Sequence, residues 1–330
     1  MPPKAHPNRR SFLKRSAAAG VSVVILRSLE EQALLAQASS PQAAPATVPS
    51  NCIVPIGTIG KVNISRLICG GNLVSGYAHS RDLLYVSPLL KAYFTDEKVL
   101  ETWSRCEQRG INTILLNPAD DRGLKLYQAY RAKGGRIQLL AQIGPEKGNL
   151  PAPVKIARET GAVGAFLHGN YGDRWTREGD TKSIGELLRI IKDHGMIAGV
   201  AAHELRSIQT MEKAGLTPDF YMKTLHGLNY WSTRRPEQTA EIVDNYATDN
   251  YWCIEPQKTI TFMSEVGRPW IAYKVLAAGA IHPRAGFKYA LENGADFLAV
   301  GMFDFQIEED AAAFAQAYPA ARNREREWFG

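Results

Sequence analysis

The chain has 330 residues, 45% of them apolar and 22% charged, with a formal net charge of +6. This is the composition of an ordinary globular protein, and it excludes collagen-like, coiled-coil and wholly disordered chains. Residues 1–38 carry six basic and two acidic side chains, so the rest of the chain is close to neutral. Nucleic-acid binding requires clustered lysine and arginine, and the rest of the chain is therefore not predicted to bind nucleic acid.

Residues 1–38 have the pattern of an export signal. Residues 8–14 read NRRSFLK, an apolar run covers residues 17–26, and Ala36-Gln37-Ala38 is a candidate cleavage site. The apolar run is too short to span a bilayer, which takes about 20 residues. The segment resembles twin-arginine signals, which implies that the twin-arginine export machinery carries the folded protein to the periplasm, with no stable membrane span afterwards. A basic N-terminus on a cytosolic protein is the alternative.

Residues 39–59 are predicted to form a flexible linker and lead-in, because residues 39–50 are rich in serine, proline and alanine and show no apolar period. The domain that follows, residues 60–330, contains no second long apolar stretch. The four cysteines show no CxxC spacing, so the sequence indicates neither a zinc ribbon nor a redox pair.

Short strand-forming runs alternate with helical patterns from residue 60 onwards. Most of the runs are nearly continuous in apolar residues, which is typical of strands covered on both faces. Eight such units over about 260 residues predict an α/β fold of the closed (β/α)8 TIM-barrel type. An open doubly wound sheet is the alternative, although no GxGxxG follows the first strand. The predicted strands are residues 67–70, 112–116, 138–143, 163–168, 197–203, 220–226, 270–274 and 297–302.

In such a barrel the active site lies where the strands end and the βα loops begin. We therefore expect the polar residues at the predicted strand ends to share one site: Asn72, Asn117, Gln142, His168, His203, His226, Lys274 and Asp304. Two long loops on this side, residues 73–95 and 227–256, are typical of binding loops or lids. Aromatic residues here, among them Tyr77, Tyr171 and Trp231, suit a polar ring such as a sugar, and packing of loops onto the rim is the alternative for each.

Four stretches resemble the aldo/keto reductases: residues 62–72 (VNISRLICGGN), 110–112 (GIN), 197–215 (IAGVAAHELRSIQTMEKAG) and 271–310. The resemblance covers residues 60–318 and implies the barrel fold. It also implies the family's chemistry, which is hydride transfer from a nicotinamide to a carbonyl, coupled to proton donation by a tyrosine.

The family's catalytic Asp, Tyr, Lys and His are matched here only by the histidine, His168 in AFLHGN. The aspartate position reads Leu115, the tyrosine position falls near Asp120, and the lysine position reads Gln142. After the eighth strand, Asp304 occupies the region where the family binds a nucleotide phosphate, and an acidic group there repels a 2′-phosphate. The resemblance therefore implies a divergent aldo/keto reductase-like barrel that has lost the usual Asp-Tyr-Lys.

Three histidines, His168, His203 and His226, end successive predicted strands, and such strand ends lie about 5 Å apart. With a carboxylate such as Glu255 or Asp120, they form an alternative site for a divalent metal that polarises a carbonyl or activates water. The competing interpretation is that these histidines only bind substrate. The cofactor is thus unknown, with a divalent metal and a nicotinamide nucleotide as the candidates.

Two lysines are further candidates for chemistry. Lys223, inside the sixth predicted strand, and Lys274, at the end of the seventh, can form a Schiff base or act as a general base once burial lowers their pKa. A phosphate or carboxylate contact is the alternative for Lys274. Arginines 234–235 and arginines 322, 324 and 326 are predicted to lie on a solvated surface.

Together these patterns favour an exported barrel enzyme acting on a carbonyl-bearing or sugar-derived small molecule. His168 is predicted to orient a carbonyl or hydroxyl oxygen, and Asp120 or Lys274 to act as acid or base. Asn72, Asn117 and Gln142 are predicted to supply hydrogen bonds. The alternatives are a metal-dependent lyase, isomerase or hydrolase, and a sugar-binding barrel without turnover. The substrate and the oligomeric state are left open.

Overall fold

A computed structural model describes residues 53–77, 83–237 and 253–330. The predicted export signal and most of the predicted linker lie outside these residues, as do parts of the two long loops. Within the described part of the chain, no helix is long and apolar enough to cross a membrane.

The described residues contain ten strands: β1 (Ile56–Ile59), β2 (Val62–Ser65), β3 (Leu67–Cys69), β4 (Thr113–Leu116), β5 (Gln138–Ile143), β6 (Gly164–Leu167), β7 (Ile197–Ala202), β8 (Phe220–Thr224), β9 (Trp270–Tyr273) and β10 (Phe297–Val300). The last eight close into a barrel in which β10 pairs with β3 and every neighbouring pair is parallel. This confirms the predicted (β/α)8 fold. Each predicted strand is present, shorter by up to two residues at its ends.

Helices follow the barrel strands and cover the outer face of the barrel. They are α1 (Val86–Tyr93), α2 (Asp96–Gln108), α3 (Asp121–Ala132), α4 (Pro151–Glu159), α5 (Gly169–Arg177), α6 (Thr181–Asp193), α7 (Leu205–Lys213), α8 (Pro256–Glu265), α9 (Pro283–Glu292) and α10 (Ile307–Ala320). Oxygen-bearing side chains begin several of them, as expected for N-caps: Thr95 accepts the amide of Lys98, and Asp180 accepts that of Ser183. Two helices, α1 and α5, lie where the sequence predicted only loop.

Side chains alternate along each barrel strand between two buried layers. One layer fills the lumen and includes Ile68, Leu140, Phe166, Met222 and Ile271. The other packs between the strands and the helices and includes Leu67, Leu139, Leu167, Tyr221 and Ala272. This double burial explains why the strands read as continuous apolar runs, since neither face contacts water.

The amino end of the barrel is closed by the β1–β2 hairpin. Ile59 and Ile64 are fully buried and belong to the same cluster as the lumen residues. The barrel domain therefore begins before residue 60, and the predicted linker range 39–59 includes one strand of the hairpin.

The C-terminal segment also packs against this amino end. Arg324 and Arg326 are almost completely buried and form ion pairs with Asp296, the residue before β10. The predicted solvated arginine surface is therefore wrong for these two residues. The guanidinium of Arg66 lies 4.8 Å from the ring centroid of Trp328, so the aromatic C-terminal residues cover it.

Candidate active site

A layer of polar side chains lines the lumen at the carboxyl ends of the barrel strands. The alternation that places Leu115, Leu140 and Phe166 in the lumen places the residues two positions later on the same face. This brings the predicted residues Asn117, Gln142, His168 and His203 to one mouth, joined by Thr224 and Tyr273 at the ends of β8 and β9. Asn72 lies at the same rim, three residues after β3.

The most strongly constrained group at this mouth is His203, directly after β7. Its Nδ1 lies 2.7 Å from Oδ2 of Asp173, a completely buried carboxylate on α5. The same carboxylate accepts the backbone amides of His203 and Glu204 at 2.9 and 3.1 Å, and the hydroxyl of Ser207 at 2.8 Å. Asp173 therefore holds both the main chain and the imidazole of His203.

Close packing of α5 on β7 puts Asp173 in this position. A Cβ atom at Gly172 would lie 2.1 Å from the carbonyl oxygen of Ala201, a distance that no real side chain adopts. Glycine at this position lets the helix approach the strand directly. Asp173, the next residue along the helix, consequently reaches the carboxyl end of β7.

Burial raises the pKa of Asp173 to about 6, while its hydrogen bonds and the charge of Lys223 act in the opposite direction. The carboxyl is therefore mostly ionised at neutral pH and accepts the proton on Nδ1 of His203. In this tautomer Nε2 carries the lone pair, the arrangement of a general base oriented by a carboxylate.

Tyr273 lies beside His203 on the lumen side. The two ring centroids are 5.3 Å apart. A Cβ atom at Gly169 would lie 2.5 Å from Cε1 of His203 and 2.7 Å from the hydroxyl oxygen of Tyr273. The small residue at the start of α5 thus leaves room for the imidazole and the phenol next to each other.

His168 occupies the N-cap of α5, where its Nδ1 accepts the backbone amide of Asn170 at 3.1 Å. Because Nδ1 is an acceptor, the ring is neutral and carries its proton on Nε2, from which it can donate a hydrogen bond. Its role in orienting a carbonyl or hydroxyl oxygen, which requires such a donor, stays a prediction.

The structure does not assemble the predicted metal centre. Among the residues it describes, no group of three or more His, Cys, Asp or Glu side chains is placed to hold a metal ion. Nδ1 of His226 donates to the carbonyl of Gly227 at 2.9 Å, and Nε2 accepts the amide of Cys253 at 2.8 Å, so both ring nitrogens are engaged by the main chain. Burial lowers the pKa of His226 to about 4, which keeps the ring neutral.

Two predicted carboxylates are also engaged elsewhere. Asp120 is the N-cap of α3, where it accepts the amide of Gly123 at 2.9 Å and the hydroxyl of Ser75. Glu255 is exposed and pairs with Lys258. Asp120 thus caps a helix, and its acid–base role stays a prediction, while Glu255 does not form a metal cluster with the histidines among the residues that the structure describes.

The two candidate lysines lie in different environments. Lys223 is 1% exposed and pairs across the sheet with Ala202 and Ala272, which belong to the layer outside the lumen. Its ammonium binds the carbonyl and hydroxyl oxygens of Thr224, and the Schiff base at Lys223 stays a prediction. Lys274, half-buried at the rim, adopts a left-handed backbone with φ of 57°, which is uncommon for a residue with a side chain.

The predicted aromatic residues are spread over the rim. Tyr77 and Trp231 are strongly exposed, at 60% and 81%. Tyr171 is half-buried on α5, with its ring centroid 6.2 Å from that of His168. Tyr171 thus lies beside a polar residue of the lumen layer, while the side chains of Tyr77 and Trp231 are largely exposed to solvent.

Sequence reasoning missed Asp173 and Tyr273. Asp173 lies in a helix that was predicted as loop, and nothing in its neighbourhood marks it as a partner of His203. Tyr273 had a usable signal, because it is two residues after the lumen residue Ile271 and the alternation places it at the mouth.

No protein-family model matches the sequence, and no curated protein matches it. Two solved structures assigned to the aldo-keto reductases, from Pseudomonas aeruginosa, are similar to this chain with TM-scores of 0.54 and 0.53. Both are 16% identical to it in sequence and cover 80% of this chain and 94% of their own. At this identity the likeness establishes the barrel fold alone.

The loops after β9 and β10 do not present a cluster of basic residues for a nucleotide phosphate. Residues 274–282 and 301–306 contain Lys274 and no other lysine or arginine. Asp304 is 5% exposed and binds the hydroxyl of Tyr93 and, at 3.0 Å, the ammonium of Lys98. Its charge is therefore compensated within the protein, which corrects the predicted repulsion of a 2′-phosphate, and no nicotinamide nucleotide is assigned to the site.

Proposed function

We propose that the protein is an aldo/keto reductase-like barrel enzyme that acts on a carbonyl-bearing or sugar-derived small molecule at the carboxyl end of the barrel. The observation that supports this is the Asp173–His203 pair, a buried carboxylate that orients an imidazole at the mouth. A buried ionisable carboxyl is costly to maintain, and such groups concentrate at functional sites.

In this proposal His203 moves the proton. Its Nε2 accepts a proton from a substrate hydroxyl or from the carbon beside a carbonyl, and Asp173 stabilises the resulting imidazolium. Tyr273 and His168 donate hydrogen bonds to the oxygen on which charge develops. The lumen layer of Asn117, Gln142, His168, His203, Thr224 and Tyr273 contains amides, imidazoles and hydroxyls, which suits an uncharged ligand rich in hydroxyl and carbonyl oxygens.

The proposal is tested by incubating the protein with a panel of aldoses, ketoses, sugar lactones and simple aldehydes, with and without NADH or NADPH, and detecting products by mass spectrometry. We expect His203→Gln to reduce turnover of an accepted substrate by about 100-fold or more, because it removes the proton-transfer group. His194→Gln, an exposed histidine whose Nδ1 lies 2.9 Å from the carbonyl of Ile190, is the matched control and should retain activity.

A non-catalytic sugar-binding barrel predicts a different outcome. In that case sugars of the panel raise the melting temperature of the protein, no product forms under any condition, and His203→Gln affects only the binding. Product formation that is equal in wild type and His203→Gln would refute the assignment of His203 while leaving an enzyme.

We also propose that the protein is exported to the periplasm by the twin-arginine machinery. Support comes from the paired arginines and the short apolar run within residues 8–26. Replacing Arg9 and Arg10 together by lysine should move the full-length protein from the periplasmic to the cytoplasmic fraction. Unchanged fractionation of this variant would contradict the proposal.

A further inference from the structure

Lys223 is a buried lysine that has no part in the chemistry proposed above. Its side chain is 1% exposed and lies in the layer between the barrel strands and the helices. A buried ammonium group is costly unless hydrogen bonds and opposite charges compensate it. The contacts of Lys223 therefore indicate what it does.

A chain of hydrogen bonds connects Lys223 to His203. The ammonium donates to the carbonyl oxygen of Thr224 at 2.9 Å and to its Oγ1 at 2.7 Å. The Thr224 hydroxyl in turn donates to the carbonyl oxygen of His203 at 3.0 Å. Asp173 binds the amide and Nδ1 of His203, so the residue is held from both sides of its main chain.

Charged and titratable groups surround Lys223 from four elements. They are Asp173 on α5, Glu204 before α7, Cys253 before α8, and His226 after β8. Burial lowers the pKa of Lys223, and the first three groups oppose this. In return, the positive charge of Lys223 favours the ionised form of Asp173.

We propose that Lys223 is a positioning residue of the active site, which fixes the carbonyl side of His203 through Thr224 and places a positive charge behind the Asp173–His203 pair. The positive charge of the lysine adds to the hydrogen bonds from His203, Ser207 and Glu204, which also favour the ionised form of Asp173. The role of this arrangement in catalysis rests on the proposed function. The contacts of Lys223, Thr224, His203 and Asp173 do not depend on it.

The test uses the full-length protein and a signal that needs no substrate. A proton shared between Nδ1 of His203 and Asp173 gives a far-downfield ¹H NMR resonance, which His203→Gln identifies by its loss. On acidification the resonance changes as the Asp173–His203 pair takes up a proton. In Lys223→Met we expect the midpoint of that change to move to higher pH by up to about one unit, because loss of a neighbouring positive charge makes it easier for the pair to take up a proton.

Thr224→Val separates the two contributions, because it removes the hydroxyl link and keeps the ammonium. We expect it to shift the resonance while leaving the midpoint close to that of the wild type. Lys192→Met is the matched control. Its ammonium binds the carbonyl of Thr217 at 2.7 Å and Asp219 at 3.1 Å, both before β8 at the amino end of the barrel. Because His203 follows β7 at the carboxyl end, loss of this ammonium should change neither quantity.

Folded Lys223→Met with an unchanged midpoint would overturn the electrostatic role, and Thr224→Val with an unchanged resonance would overturn the hydrogen-bond role. If Lys223→Met fails to fold, Lys223→Gln, which keeps a hydrogen-bond donor and removes the charge, takes its place in the measurement of the midpoint. The NMR readout does not depend on turnover, so a protein without activity on the substrate panel can still show these shifts. Failure of this inference and failure of the proposed function are therefore distinguishable.

Discussion

Two aspartates, one at each end of the barrel, are completely buried, and different partners compensate their negative charge. At the amino end, Asp296 binds Arg324 at 2.5 Å and Arg326 at 2.6 Å. At the carboxyl end, Asp173 binds backbone amides, a serine hydroxyl and the imidazole of His203. Both side chains are 0% exposed.

Asp296 is paired with guanidinium groups, whereas Asp173 is paired with an imidazole. Burial lowers the pKa of Arg324 to about 10, which still leaves its guanidinium charged at neutral pH. The two arginines are therefore constant partners of Asp296 and hold the C-terminal segment against β10. An imidazole is the side chain whose ordinary change of charge falls nearest to neutral pH. A carboxylate paired with such a group provides a site that can change its protonation state, which a structural contact does not require.

Asp296→Asn is expected to have the largest effect on stability. It leaves two buried guanidiniums without a counter-charge, and the loss of one partner of a buried ion pair costs about 3–5 kcal/mol. Urea unfolding measures this change. Asp193→Asn, which breaks the exposed pair with Arg189, should cost less than about 1 kcal/mol and serves as the control. Equal losses of unfolding free energy in the two variants would show that the Asp296 cluster does not hold the C-terminal segment in place.

Asp173→Asn should change how stability depends on pH. Burial raises the pKa of Asp173 to about 6 in the folded protein, against about 3.9 for an unfolded aspartate. The folded state thus holds the proton more tightly. Its contribution to stability is complete below about pH 4 and is lost as the pH rises through about 6, which amounts to roughly 3 kcal/mol.

The asparagine variant lacks this dependence, so its unfolding free energy relative to wild type should rise between pH 4.5 and pH 7.5. Urea unfolding of both proteins at several pH values in this range measures it. Parallel pH profiles of the two proteins would contradict a titrating, buried Asp173 and make it resemble a permanent structural charge.

Gly169→Ala should have a smaller effect on stability, localised to the mouth. The added methyl meets Cε1 of His203 and the hydroxyl of Tyr273 at 2.5 and 2.7 Å. Moving these rings costs about 1–3 kcal/mol and should shift the downfield resonance of His203. Gly267→Ala, where the added methyl meets nothing within 4 Å, is the control. An unshifted resonance in Gly169→Ala would show that the mouth has more room than the contacts indicate.

Much of the fold was predictable because it depends on periodicity. Runs of apolar residues locate strands buried on both faces, and the predicted range 138–143 coincides with β5. The shared rim of Asn117, Gln142, His168 and His203 was also predictable, since parallel strands bring their carboxyl ends to one end of a barrel.

The partners of those residues were not predictable. His226 ends a strand like the other two histidines, yet both its ring nitrogens are used to hold Gly227 and Cys253. Lys223 was singled out as a candidate for chemistry, and the sequence did not indicate that its ammonium binds Thr224. Arg324 and Arg326 lie in a segment whose composition is typical of an exposed tail. Their ion pairs with Asp296 compensate the charges that burial would otherwise leave unpaired.

By itself the sequence determined the eight barrel strands and several of the polar residues that meet at the barrel mouth, though not α1, α5 or the β1–β2 hairpin, because hydrophobic period and chain direction are local properties. The tertiary structure alone decided which of those residues have a working partner. Asp173 reaches His203 because Gly172 lets α5 approach β7 closely, and this kind of contact depends on packing between elements that are distant along the chain.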